Sequence, residues 1–371
     1  MVLILVDLIK YPMTTSQPVS PETRFGLLVS KDDAPETDPR RRVADHIERA
    51  LAARDTGFDT IAVGHRYSYG PAANDDRGRP LISSRFQPLM VLAHLAAHLG
   101  DSVNYAPLVM VSPSLTPVQL AEDAATLDAM TGGRLRIGIG LGWMPNEFEA
   151  FGVPLRRRVA RFEELINATR ALLTQDVVDF DGSFFQFRDA RLVARAIQSP
   201  MPPLWIGASA EPAIRRAARL GDTWTISAHL SINDLRRHLA IYTEELDRVG
   251  KPMPAERPIT RIIYLAEDRE AAIEEARPAL VDWYRKRGEW GWFLKQGSGM
   301  SDEAFADGRW IIGNPEDCVA QIRILQETLG VNHIIFNLSP GLGVSPEQRL
   351  RTIRLLGQEV LPAFRTAATV Q

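Results

Sequence analysis

Eight short apolar runs recur along this 371-residue chain, and the segments between them carry apolar residues at helical spacing. The runs are FGLLVS (25–30), TIAVGH (60–65), VNYAPLVMV (103–111), RLRIGIGL (134–141), PLWIGA (203–208), DTWTIS (222–227), ITRIIYLA (259–266) and HIIFNL (333–338). Such short, continuous runs read as strands covered on both faces, which is the signature of a parallel sheet. The helical segments are marked by Val43, Ile47 and Leu51, by Leu120, Ala124 and Leu127, by Val159, Phe162, Leu165 and Ile166, and by Val319, Ile322 and Leu325. Eight alternations favour an α/β fold of the closed (β/α)8 type, a TIM barrel, over an open doubly wound sheet. Such a barrel needs about 250 residues. The surplus falls in three insertions, at about 65–86, 142–202 and 267–312. Each follows a strand, so each is expected at the C-terminal mouth, where barrel enzymes keep their chemistry. No internal repeat or composition break divides the chain, so residues 1–371 read as one domain.

Composition excludes several classes. The formal net charge is −3, so there is no electrostatic footprint for nucleic acid or an anionic membrane. Arg40–Arg42 and Arg156–Arg158 each open a predicted helix and read as solvated faces. One cysteine, Cys318, excludes an internal disulfide and a cysteine-rich zinc site; it falls within a predicted helix and reads as structural. MVLILVDLIK at the start lacks a basic region and is interrupted by Asp7, so it does not read as a signal peptide. No run is long and apolar enough to span a bilayer, and the chain is expected in the cytoplasm. His94 and His98 are four apart, but no HExxH surrounds them, and no metal site is expected. No GxSxG, P-loop or GxGxxG is present.

Four segments carry candidate chemistry. In GASAEPAIRRAARLGDTW (207–224) a strand runs into a helix, with Ser209 as the expected N-cap. Free amides in a first helical turn favour an anion. Gly207 and Ala208 would let a phosphate approach, although an ordinary capped helix explains the same residues. In RIGIGLGW, Gly138, Gly140 and Gly142 alternate along one strand face. Two readings are open: a flat surface for a planar ring, or close packing inside the barrel. Trp143 and Glu147 follow at the mouth. His65 ends the second strand, a catalytic location in this architecture, and histidine can donate or accept a proton near neutral pH. DWYRKRGEWGWFLKQGSGM (282–300), with Trp290 and Trp292, is expected to shape a substrate pocket as a lid or to serve an oligomer contact. Two local signals complete the reading: Asp181-Gly182 as a hairpin turn, and Thr116-Pro117-Val118-Gln119 as a capping box.

FQPLMVLAHLAAHLGDSVNYAPLVM, LAEDAATLDAMTGGRLRIGIGLGW, EFEAFGVPLRRRVARFEELI, FDGSFFQF, PPLWIGASAEPAIRRAARLGDTW and IIGNPEDC together resemble the bacterial luciferase-like flavin-dependent monooxygenase superfamily. The resemblance runs from about 25 to 338. It implies a (β/α)8 barrel, usually a homodimer or larger oligomer, with a flavin or deazaflavin across the mouth. It implies the cofactor phosphate near Gly207, Ala208 and Ser209, and His65 near the ring. Ser112, Gly142 and Trp143 become ring or pocket contacts. One branch uses reduced FMN and O2, receives its flavin from a separate reductase, and oxygenates a small organic substrate through a peroxyflavin. The other transfers hydride with the deazaflavin coenzyme F-420. FMN monooxygenation is the expected activity, deazaflavin hydride transfer the alternative, and a non-catalytic flavin-binding protein the alternative of another class. A metal-dependent barrel hydrolase is the remaining option.

Overall fold

The computed structural model describes residues 23–30, 38–67, 86–228, 230–288, 308–338 and 344–365. In chain order the strands are β1 (Arg24–Ser30), β2 (Thr60–Val63), β3 (Asn104–Pro107), β4 (Met110–Val111), β5 (Ile137–Gly140), β6 (Val178–Asp181), β7 (Gln186–Ala190), β8 (Leu204–Ala208), β9 (Thr223–Ile226), β10 (Pro258–Leu265), β11 (Trp310–Gly313) and β12 (His333–Asn337). The helices are α1 (Pro39–Asp55), α2 (Pro88–Leu99), α3 (Pro117–Met130), α4 (Pro145–Ala150), α5 (Arg158–Thr174), α6 (Glu211–Leu220), α7 (Ile232–Arg248), α8 (Arg269–Gly288), α9 (Pro315–Leu329) and α10 (Pro346–Leu355).

The main sheet is parallel, in the order β3-β2-β1-β12-β10-β9-β8-β5-β4. β3 and β4 are two halves of one sequence run, and Tyr105 of β3 also bridges Leu135 just before β5. The order therefore returns on itself, giving the expected (β/α)8 barrel. Two details differ from the sequence expectation. The third run is divided at Leu108–Val109, whose peptide is cis. A further strand, β11, pairs with β10 and lies inside the expected third insertion. Its four residues, WIIG, are too short a run to stand out from an insertion.

Side chains alternate across each strand. Phe25, Ile61, Tyr105, Ile139, Ile206 and Phe336 belong to the large core beneath the helices. Leu28, Ala62, Ala106, Trp205 and Ile335, from opposite strands, meet inside the barrel. Gly138 and Gly140 share that inner face. A β-carbon on residue 138 would lie 1.9 Å from the Pro107 carbonyl oxygen, and one on residue 140 would lie 2.7 Å from Val109 Cγ2. Gly207, paired with Gly140 in the next strand, also has Val109 against it at 3.2 Å. Of the two readings of the stripe, close packing inside the barrel is the one observed: the third strand occupies the trough.

Within the second insertion α5 buries Phe162, Leu165, Ile166 and Leu172 in the core, and the stretch after it is tied down by carboxylates that accept backbone amides. Glu122 takes those of Val193 and Ala194, at 2.8 and 3.2 Å. Buried Asp128 takes those of Ile197 and Gln198, at 2.8 and 2.9 Å. β6 and β7 form the expected hairpin, but Asp181 pairs with Gln186 and the turn spans 182–185, not a two-residue Asp-Gly turn. At α3, Thr116 does sit at the N-cap, yet its side chain makes no cap hydrogen bond, so the expected capping box is absent. Of the first arginine cluster, Arg42 is buried, its guanidinium 4.3 Å from the Phe86 ring centre, so only part of that cluster is a solvated face.

The opposite end of the barrel holds a charge cluster. Glu256, just before β10, meets Arg24 at 3.2 Å, Arg136 at 3.3 Å and His333 Nδ1 at 3.0 Å. Burial pushes its carboxyl up, but the His333 hydrogen bond and the charges of His333, Arg136 and Arg24 outweigh this and hold it at about 2. Its folded value lies below the ordinary 4.5. The stabilisation is therefore complete above pH 4.5 and is lost as pH falls toward 2.

Two expectations follow. Gly138→Ala lowers unfolding stability by about 3 kcal/mol in urea titration, because a backbone oxygen cannot yield its place; an unchanged midpoint would contradict the packing. Glu256→Gln is less stable than wild type by about 2 kcal/mol at neutral pH, because a part-buried charge that accepts charge-assisted hydrogen bonds is lost. The gap should narrow on acidification below pH 4.5, and a gap that is constant to pH 3 would count against the floor cluster.

Candidate active site

Parallel strands deliver their C-terminal ends to one side of a barrel. Here β2 leads to His65, β4 to Ser112, β5 to Gly142 and Trp143, and β8, ending in Gly207 and Ala208, to Ser209. The structure thus brings these seven sequence candidates to the mouth. Trp290 and Trp292 lie outside the described residues.

His65 is buried and held through both ring nitrogens. The Val111 backbone N–H donates to Nδ1 at 3.1 Å, and Nε2 lies 3.0 Å from Gln87 Oε1. A nitrogen that accepts a hydrogen bond cannot carry the proton. The geometry assigns the Nε2–H tautomer, with Gln87 as acceptor. His65 is therefore set up to donate at Nε2 and not to take a proton at Nδ1. The Tyr67 ring stands edge-on to it at 4.7 Å and to Phe151 at 4.8 Å. The Tyr67 amide donates to Oε1 of buried Glu147 at 2.9 Å. This bond ties the loop after β2 to α4, in the second insertion.

Ser112 is buried, and its hydroxyl donates to the Leu141 carbonyl at 2.7 Å. It joins the ends of β4 and β5. Gly142 lies past β5 with φ of +81°, so it is a turn residue and not a third member of the stripe. Trp143 follows with 42% of its surface exposed, leaving an aromatic face at the mouth. Arg161 of α5 reaches the same region, donating to the carbonyls of Ser112 at 2.9 Å and Leu115 at 2.7 Å. Burial lowers its basicity, and Glu164 works against that shift.

At α6 the structure corrects one expectation. The N-cap is Ala210, not Ser209, and no side chain caps the helix. Ser209 and Ala210 are exposed. Glu211, in the first turn, is occupied by Arg215 at 3.0 Å. Pro212 has no N–H and the Ala213 amide bonds the Ala210 carbonyl at 2.9 Å, so an anionic group at this helix start would meet the uncapped backbone of Ser209–Glu211 rather than a full first turn of amides. Cys318 is far from such chemistry: it is buried in α9, and burial pushes its thiol up, which makes it inert. Among the described residues, no group of three or more His, Cys, Asp or Glu side chains is placed to hold a metal, and no helix is long and apolar enough to cross a membrane.

Sequence reasoning had no reason to select Gln87, Val109 or Arg161. Gln87 and Val109 are single residues whose roles exist only once strands meet. Arg161 follows the basic run RRR and reads as one more surface charge.

A model of the luciferase-like monooxygenase family matches residues 23–333. The FMNH2-dependent dimethylsulfone monooxygenase of Pseudomonas putida is 26% identical over 324 residues, covering 82% of this chain and 81% of that protein. A monooxygenase from Streptomyces bottropensis superposes with a TM-score of 0.78 at 23% identity, over 92% of this chain and all of that one. The coenzyme F-420-dependent tetrahydromethanopterin reductase of Methanopyrus kandleri has a TM-score of 0.67 at 19% identity, over 93% of this chain and all of that one.

His65→Ala leaves the buried Val111 amide without its acceptor. Unfolding stability should fall by about 2 kcal/mol, measured by chemical denaturation. An unchanged stability would show that the His65–Val111 bond is not formed in solution.

Proposed function

The chain belongs to the luciferase-like monooxygenase family, and on that premise we propose that it is a two-component, FMN-dependent monooxygenase acting on a small organic substrate. The observation that carries the reading is the pairing, at one barrel mouth, of an uncapped helix start with a buried histidine locked as an N–H donor. The first suits a phosphate, the second the polar edge of a ring or substrate. The dimethylsulfone enzyme, 26% identical, supports FMN over the deazaflavin.

In this reading the amides at the start of α6, with Gly207, Ala208 and Ser209, hold the phosphate. Ser112, Gly142 and Trp143 border the ring. Reduced FMN, when bound, supplies the two electrons with which one atom of O2 enters the substrate and the other leaves as water. His65 keeps a proton at Nε2 and exchanges the Gln87 oxygen for an acceptor on the cofactor or substrate. Its Nδ1 stays with Val111 throughout, so the ring does not turn over. A separate flavin reductase would supply the reduced cofactor, and the enzyme would work in the cytoplasm as a homo-oligomer.

The test is anaerobic titration with reduced FMN and, separately, with reduced coenzyme F-420, each complex then being mixed with air-saturated buffer. The expected result is at least tenfold tighter binding of reduced FMN, a short-lived O2-dependent absorbance change, and weaker binding in His65→Ala. Selective binding of the deazaflavin with no response to O2 would overturn the reading in favour of hydride transfer.

A further inference from the structure

We propose that Arg161 is a positioning residue for the mouth: it fastens the inserted hairpin to the turn after β4 and so sets Ser112 and His65. The inference rests on the reading of that mouth as the flavin site. Arg161 belongs to α5, in the second insertion and outside the barrel strands. Its guanidinium nonetheless donates to two carbonyls of the turn that follows β4, those of Ser112 and Leu115. Residues 112–114 form one turn of 3-10 helix, and the Leu115 amide closes it onto the Ser112 carbonyl at 3.1 Å. The planar fork of an arginine presents its donors in a fixed, pre-organised geometry, whereas a lysine offers one ammonium on a flexible stem. Hydrogen bonds from a charged donor are also stronger than neutral ones.

The turn held in this way serves both walls of the mouth. From one residue, Val111, the amide reaches His65 Nδ1, and the carbonyl accepts from the Ser114 hydroxyl at 3.0 Å. From the next, the Ser112 hydroxyl reaches Leu141 beside Gly142. A shift of this turn would loosen the tautomer lock on His65 and the join between β4 and β5 together.

Arg161 is itself held from outside. Its guanidinium carbon stands 4.9 Å from the Phe185 ring centre, and Arg157 stands 4.3 Å from that of Phe184. Both rings sit at the hairpin turn. One carboxylate, Glu164 on α5, accepts the amides of Ser183, Phe184 and Phe185 at 2.9, 2.8 and 2.6 Å. The hairpin is thereby a buttress: Glu164 clamps its turn, the turn presents Phe185, and Phe185 backs the guanidinium that grips the mouth.

The test compares wild type with Arg161→Met, Arg161→Lys and Phe185→Leu. Backbone hydrogen exchange over 109–116 is measured without ligand, and reduced-FMN affinity and the bound-flavin spectrum are measured well below each melting temperature. Arg161→Met should speed exchange over 109–116 selectively and weaken FMN binding by roughly tenfold or more, the loss of about one to two charge-assisted hydrogen bonds. The Lys and Leu variants, which keep the charge or the fork, should fall between. A lower melting temperature with unaltered exchange over 109–116 and unaltered FMN affinity would overturn the proposal and leave Arg161 as a strut. If wild type binds no flavin, the functional reading fails, whereas the exchange comparison still decides whether Arg161 holds the turn.

Discussion

The carbonyl oxygen of Pro107 lies where a side chain on residue 138 would begin, and the Val109 side chain rests on two further positions, 140 and 207, that also lack one. This close approach sets the course of the third strand. Because the strand lies in the trough, Met110 and Val111 pair with Ile139 and Gly140. That pairing puts the Val111 amide within reach of His65 and the Ser112 hydroxyl within reach of Leu141. The polar geometry of the mouth is therefore a consequence of three missing β-carbons. The flat surface that a glycine stripe would otherwise offer is covered by protein.

The two ends of the barrel use polar groups differently. At the floor, charges neutralise one another: Glu256 is surrounded by Arg24, Arg136 and His333, which suits a face given to stability. At the mouth, most polar side chains engage backbone. Ser112 and Arg161 donate to carbonyls, Glu147 and His65 accept from amides. Such bonds fix loops that cannot be fixed by burial, since connections run over the surface and keep unpaired peptide groups. Glu122, Asp128 and Glu164 apply the same device to the second insertion. Each accepts at least two backbone amides. The part of that insertion that follows α5 is in this way tied to the barrel by polar bonds as well as by the buried face of α5.

The barrel was legible because its strands are continuous apolar runs and its helices carry 3.6-residue stripes. These are local patterns that the fold only assembles. The mouth was legible by position, since any residue just past a parallel strand must emerge there. His65 and Trp143 were found on that basis, whereas Ser112 came from the family resemblance, Gly142 from the glycine stripe and Ser209 from its place before a helix. What the sequence did not contain were relations between strands. Gly138 and Gly140 looked alike whether they faced a ring or a neighbouring backbone, and only the path of 107–109 distinguishes these. Ser209 looked like a cap because serine commonly is one, but the helix begins one residue later. Arg161 and Glu164 sit in RRRVARFEEL, where every charge resembles a solvated face; their function depends on a turn and a hairpin that lie 46 and 21 residues away. β11 was hidden by its brevity within an insertion.

We propose that the mouth built on this trough, and no other surface, holds the flavin. A crystal structure of the protein with FMN bound tests this most directly. The predicted result places the phosphate on the amides at Ser209–Glu211, the ring between Ser112 and Trp143, and a cofactor or substrate atom in place of the Gln87 oxygen at His65 Nε2. A flavin bound at the floor, on the helical exterior, or at the mouth with its phosphate away from α6 would contradict it.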